Sequence, residues 1–102
     1  MAIAEVSIVP LGTATTSVSA WVADLERLLA QAPEPIHHEM TGMSTLIEGT
    51  PSDLFAVIAR LHEAPFLAGA ARVYTVIKID DRRDKPSTLA SKVASVQEKL
   101  GR

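Results

Sequence analysis

Ile36–Leu61, IHHEMTGMSTLIEGTPSDLFAVIARL, places two short strand candidates directly ahead of a helix start. Ile36 to Met40 and Met43 to Gly49 flank Thr41-Gly42, which is most economically read as a tight hairpin, with Gly42 supplying positive φ. Thr50-Pro51-Ser52-Asp53 follows. Thr50 reads as an N-cap, Pro51 fits the first helical position, and the Asp53 carboxylate favours the positive end of the helix dipole. Leu54, Val57, Ile58 and Leu61 then recur on one stripe, and Pro65 is expected just beyond the helix end. A β-β-α core of this kind needs strands and helices on either side to close a sheet.

Those elements are present. Upstream, Ala2 to Val9 alternates Ala4, Val6 and Ile8 with Glu5 and Ser7, which is the period of a half-buried strand, and Pro10 and Gly12 are expected to break it. Thr16 or Ser17 is positioned to cap a helix carrying Val18, Val22, Leu25 and Leu29, closed by Pro33 and Pro35. Downstream, Ala71 to Asp80 is the longest strand candidate, rich in Val, Ile, Tyr and Thr. Pro86-Ser87 then opens a helix with Leu89, Val93, Val96 and Leu100 in one row. That row reads as a packing face, so Val93→Asp is expected to loosen the helix from the body.

The order β-α-β-β-α-β-α predicts an α+β fold of the ferredoxin-like type: a βαββαβ sandwich, an antiparallel four-stranded sheet and an additional C-terminal helix. Both main helices then cover one sheet face. Tyr74, Val76 and Leu46 are expected on the other, mixed with Glu48, Lys78, Glu5 and Ser7, a composition suited to a subunit contact or a ligand.

The totals agree with one domain over residues 1–102. Aromatic residues are only 4% of the chain, so aliphatic side chains must carry the core. A net charge of −2 with no basic stripe argues against nucleic acid as a partner. No cysteine is present, which removes disulfides, thiolate nucleophiles and cysteine-held metals. Met1 to Pro10 carries no basic leader or signal-peptide core, and no apolar run approaches the ~20 residues of a membrane span; a cytoplasmic location without membrane contact is expected.

Further motifs carry a family likeness. Pro10-Leu11-Gly12-Thr13, Ser17-Val18-Ser19, Ile47-Glu48-Gly49, Gly69, Arg72-Val73 and Ile77 to Lys85 occur in order along nearly the whole chain. In these the sequence resembles the small thiamine-binding protein family related to YkoF. The resemblance implies a ferredoxin-like fold, assembly into homodimers or homotetramers through sheet surfaces, and binding of thiamine or its hydroxymethylpyrimidine part, with no established catalysis. The chain departs from the family most clearly where Gly42-Met43-Ser44-Thr45 stands in place of the typical Pro-Met-Gly-Thr, and also at His37 or His38, where an aromatic is usual.

Thiamine presents an aminopyrimidine and a cationic thiazolium, so its site needs hydroxyls or amides, a carboxylate and an apolar wall. Thr13, Ser17 and Ser19 supply hydroxyls near a helix start, although Ser17 is equally a helix cap. Glu48, beside Gly49, either faces the ligand or pairs with Arg72 or Lys78 on a neighbouring strand. Thr45 is a candidate flank of the same pocket, and Met43 and Trp21 either wall the ring or belong to the core or an interface.

No metal and no cofactor is expected. His37-His38, adjacent on a strand, point to opposite faces and do not chelate one ion together. Asp80 to Lys85 mixes three acidic and three basic side chains; it is either a solvated turn or an oligomer contact in which Arg82 and Arg83 fork onto carboxylates of another chain, with Tyr74 and Asp84 alongside. The function expected is non-enzymatic vitamin binding by a homo-oligomer that buffers, delivers or senses its ligand. The rivals are a partner-binding structural or regulatory oligomer and, by fold analogy alone, a small oxygenase.

Overall fold

The computed structural model describes residues 1–101 and gives the order β1 (Ala2–Leu11), α1 (Ser19–Gln31), β2 (His37–Met40), β3 (Thr45–Gly49), α2 (Pro51–Leu67), β4 (Arg72–Asp81) and α3 (Leu89–Lys99). The four strands form one antiparallel sheet in the order β2-β3-β1-β4. This is the expected ferredoxin-like α+β architecture. Each α-helical crossover skips one strand, so that consecutive βαβ halves interleave.

Cross-strand partners share a face, so the register sorts the side chains. Ala4 opposes Ile47 and Ile79, and Val6 opposes Thr45 and Ile77; these face the helices. Glu5 opposes Leu46 and Lys78, and Ser7 opposes Val76; these face away. The core lies between the sheet and the two helices, from Ala2, Ala4, Val6, Ile8 and Ile47 to Leu25, Leu29, Leu54, Val57, Ile58 and Leu61. Thr50 caps α2 as expected, its hydroxyl accepting the Asp53 N–H at 3.2 Å.

Five local expectations are corrected. Pro10 does not end β1, which continues to Leu11 beside Arg72 and stops at Gly12, where φ is 78°. Beyond Val6 the strand has no β3 partner, so a missing N–H is tolerated on that side. Neither Thr16 nor Ser17 caps α1; its N-cap is Val18, with no side-chain cap bond. Gly42 has no positive φ, because Thr41 shapes the hairpin loop instead: its hydroxyl accepts the N–H groups of Met43 (3.2 Å) and Ser44 (3.1 Å). Pro65 lies inside α2, in its last turn, where its fixed φ is already helical and few residues follow to be disturbed.

The fifth correction concerns α3. Thr88 and Ser91 cap each other's backbone at its start, but the helix buries none of its residues. Val93, Val96 and Leu100 are 58, 57 and 61% exposed and only Leu89 of the row is half-buried, so the row beyond Leu89 does not pack on its own chain and Val93→Asp has no such contact to break. The radius of gyration of 15.1 Å accordingly exceeds the roughly 13 Å of a compact chain of about 100 residues.

Candidate functional site

The uncapped start of α1 faces the β2–β3 hairpin, and two adjoining hollows lie between them. The inner one has a volume of about 150 Å³; Val6 and Ile8 form its floor, Val18, Val22 and Leu25 one wall, and Met40 and Thr45 the other. The outer one is shallow and runs past Ser17, Ser19, Val22, Glu26 and Met40. Thr41, whose bonds fix the hairpin loop, thereby fixes the rim.

Glu26 is the polar centre of this cleft. Its Oε1 accepts a hydrogen bond from the Thr45 hydroxyl at 3.0 Å, and His38 Nδ1 lies 3.4 Å from its Oε2. The Glu26 side chain is 23% exposed, which leaves the carboxylate partly desolvated yet open to the outer hollow. A half-buried carboxylate accepts strongly from ligand N–H groups and attracts a cation. Each oxygen retains capacity for a further donor.

The sequence candidates separate. Ser17, Ser19, Met43 and Thr45 border the two hollows. Ser17 and Ser19 are exposed, and their hydroxyls lie 3.3 Å apart, free of any capping bond to α1. Met43 is 89% exposed at the loop tip. Thr13 borders neither hollow; its hydroxyl donates to the Thr15 carbonyl at 2.8 Å.

Glu48 lies on the opposite face of the sheet, 9% exposed, where its Oε2 accepts the Leu89 N–H at 2.6 Å and tethers the start of α3. It pairs with neither Arg72 nor Lys78; Lys78 instead lies 3.5 Å from Glu5. Thr45 and Glu48 are three residues apart on one strand, so they point to opposite faces and share no pocket. Sequence reasoning missed Glu26 and His38. The available signal was Glu26 four residues after Val22 and three before Leu29, a lone carboxylate on the apolar stripe of α1.

The oligomer candidates are distributed differently. Tyr74 is 61% exposed on the sheet face away from α1 and α2. Arg82 forks onto Asp84 of the same turn through Nε (2.5 Å) and Nη2 (2.9 Å), and Arg83 binds Asp81 through Nη2 at 2.6 Å. Their donors are thus engaged within one chain. Arg82 holds the Asp84 carboxyl down at about 2. Since the folded value lies below the unfolded one, this pairing is intact above the ordinary Asp range and is lost only as pH falls through about 2. A carboxyl NMR titration is expected to place the Asp84 midpoint there, and Arg82→Gln to return it toward the model-peptide value of 3.8. An unshifted midpoint in the unmodified protein would show that the fork does not persist in solution.

Among the described residues, no group of three His, Asp or Glu side chains converges on a metal-sized site, and no helix is long and apolar enough to cross a membrane.

Comparison with known proteins agrees with this fold. The family profile described as thiamine-binding protein matches residues 4–97. The chain is 58% identical to the UPF0045 protein YqgV of Bacillus subtilis, over 98% of each. It is 44% identical to a UPF0045 protein of Methanothermobacter thermautotrophicus, over 98% of this chain and 100% of that one. Among solved structures it superposes on the hypothetical protein MJ1052 of Methanocaldococcus jannaschii with a TM-score of 0.83 at 31% identity, covering 95% of this chain and 96% of that one. With the profile spanning almost every element of the sheet and both packed helices, the chain belongs to the thiamine-binding protein family.

Proposed function

We propose that the protein binds thiamine through its hydroxymethylpyrimidine half, without transforming it, and does so as a homo-oligomer. The observation that carries this reading is the Glu26 carboxylate of the outer hollow, bonded by the Thr45 hydroxyl that lines the adjoining inner hollow of about 150 Å³. A cavity of about that size admits one six-membered aromatic ring. The Val18, Val22 and Leu25 wall suits the ring faces, while Glu26 suits the exocyclic amine. The thiazolium then extends into the outer hollow, where the same carboxylate offsets its charge and the Ser17 and Ser19 hydroxyls meet the polar tail. The family to which the chain belongs supports the ligand class.

Separate calorimetric titrations with thiamine, hydroxymethylpyrimidine and the thiazole alcohol test this. Micromolar binding of the first two, a free energy of about −8 kcal/mol, with no heat from the third is the expected result. Silence with all three would overturn it and leave the partner-binding reading, which the exposed row on α3 favours.

A further inference from the structure

Beside the cleft, His38 of β2 reaches toward α1. It opposes Ile47 across the ladder, so its side chain is on the helix-covered face of the sheet, and its Nδ1 lies 3.4 Å from Glu26 Oε2. Both side chains are about a quarter exposed, at 28 and 23%. The separation exceeds the roughly 2.7–3.2 Å of an ordinary N–H···O hydrogen bond, so Oε2 stands next to the imidazole without being committed to it. Oε1, in contrast, is held by the Thr45 hydroxyl at 3.0 Å.

Few charged groups surround this contact. On β2 itself, His37 and Glu39 point to the opposite face and bond each other at 3.0 Å. From β3, Thr45 and Ile47 share the face of His38 and carry no titratable group. On α1, Arg27 is paired with Asp24 at 2.5 Å, both exposed, and Glu34 ahead of β2 is forked by Arg60 of α2. Among the described residues, Glu26 is the one charged side chain that meets His38.

We infer that His38 gates access to Glu26 by pH: the neutral imidazole leaves the carboxylate to the ligand, and the imidazolium closes onto it. This rests on the reading of Glu26 as the ligand carboxylate, and His38 acts on the ligand only through that side chain. Histidine changes charge between about pH 5 and 8. Once charged, His38 has to approach by only about 0.5 Å to form a charge-assisted bond of about 2.7–2.9 Å. Oε2 is then occupied and the charge of Glu26 is offset, so the carboxylate has less to offer an amine or a thiazolium. A bound cationic ligand in turn disfavours a second positive charge on His38. Ligand and proton therefore compete, and by linkage binding expels a proton to the extent that acid weakens binding.

Calorimetry with thiamine at about pH 8 and about pH 6, each in two buffers of different ionisation enthalpy, tests the gate. Affinity should be roughly tenfold weaker at the lower pH, and the difference in heat between buffers should show proton release. The aminopyrimidine of the ligand titrates with the opposite sign: its protonated form suits a carboxylate better, so on its own it strengthens binding in acid and takes a proton up. His38→Gln keeps a polar side chain that cannot charge. Its affinity profile should be flat or rise slightly toward acid, and its proton release should vanish; far-UV circular dichroism confirms that it is folded. The proton count on the unmodified protein needs no variant. Binding of thiamine that does not vary with pH, proton uptake on binding, or a loss in acid that persists in His38→Gln would overturn the gate and leave thiamine as the ligand. No heat at either pH would overturn the ligand reading itself, and the gate with it.

Discussion

Ile47→Ala is expected to lower the stability of the chain by about 3 kcal/mol. Ile47 is 0% exposed on β3, beneath α2, and its partner across the ladder is Ala4, itself 0% exposed. A small residue on the neighbouring strand means that the isoleucine supplies the bulk of the packing above both positions. The loss therefore combines the transfer free energy of the missing methyl and methylene groups with a residual cavity. For a domain of this size, 3 kcal/mol corresponds to a fall in Tm of roughly 12–24 °C. Thermal unfolding followed by circular dichroism measures it. A fall of only a few degrees would show that Ile47 does not sit in the packed centre of the sandwich.

Glu26→Gln should weaken thiamine binding about thirtyfold, the equivalent of ~2 kcal/mol for a hydrogen bond to a charged group. The substitution keeps the shape of the side chain and an acceptor for the Thr45 hydroxyl, but it removes the charge from the cleft. Glu48→Gln is the informative contrast. Because Glu48 binds the Leu89 N–H on the far side of the sheet, its loss should loosen the start of α3 and leave affinity unchanged. Calorimetry on the two variants separates the carboxylates directly. Equal losses, or a larger loss at Glu48, would put the ligand on the other face.

Much of this molecule is written locally. The α2 start at Thr50-Pro51-Ser52-Asp53 depends on a hydroxyl and an N–H three residues apart, and it occurs where the sequence indicates. The alternation along β1 and β4 sorts Glu5, Ser7, Tyr74, Val76 and Lys78 onto the face away from the helices by a period of two, without reference to any distant residue. The prolines mislead because their penalties depend on surroundings: Pro10 has an unpaired flank and Pro65 occupies the last turns of a helix. Family motifs directed attention to Glu48, but the rotation of α1 against the β2–β3 hairpin decides which carboxylate meets the Thr45 hydroxyl.

The row on α3 shows the same division in another form. Its spacing gives an amphipathic helix correctly, yet spacing carries no statement of what the apolar side meets, and on its own chain Val93, Val96 and Leu100 stay more than half exposed. Sequence alone therefore determined the order of elements, the inward and outward faces of the strands and the cap of α2, all of which arise from interactions within a few residues or from strict periodicity. Only the tertiary structure decided that Glu26 meets Thr45 at the cleft with His38 beside it, that Glu48 tethers α3, and that β4 is left with an open edge. Those outcomes depend on long-range packing, in which the relative placement of whole elements, rather than any local preference, determines which side chains come within hydrogen-bonding distance.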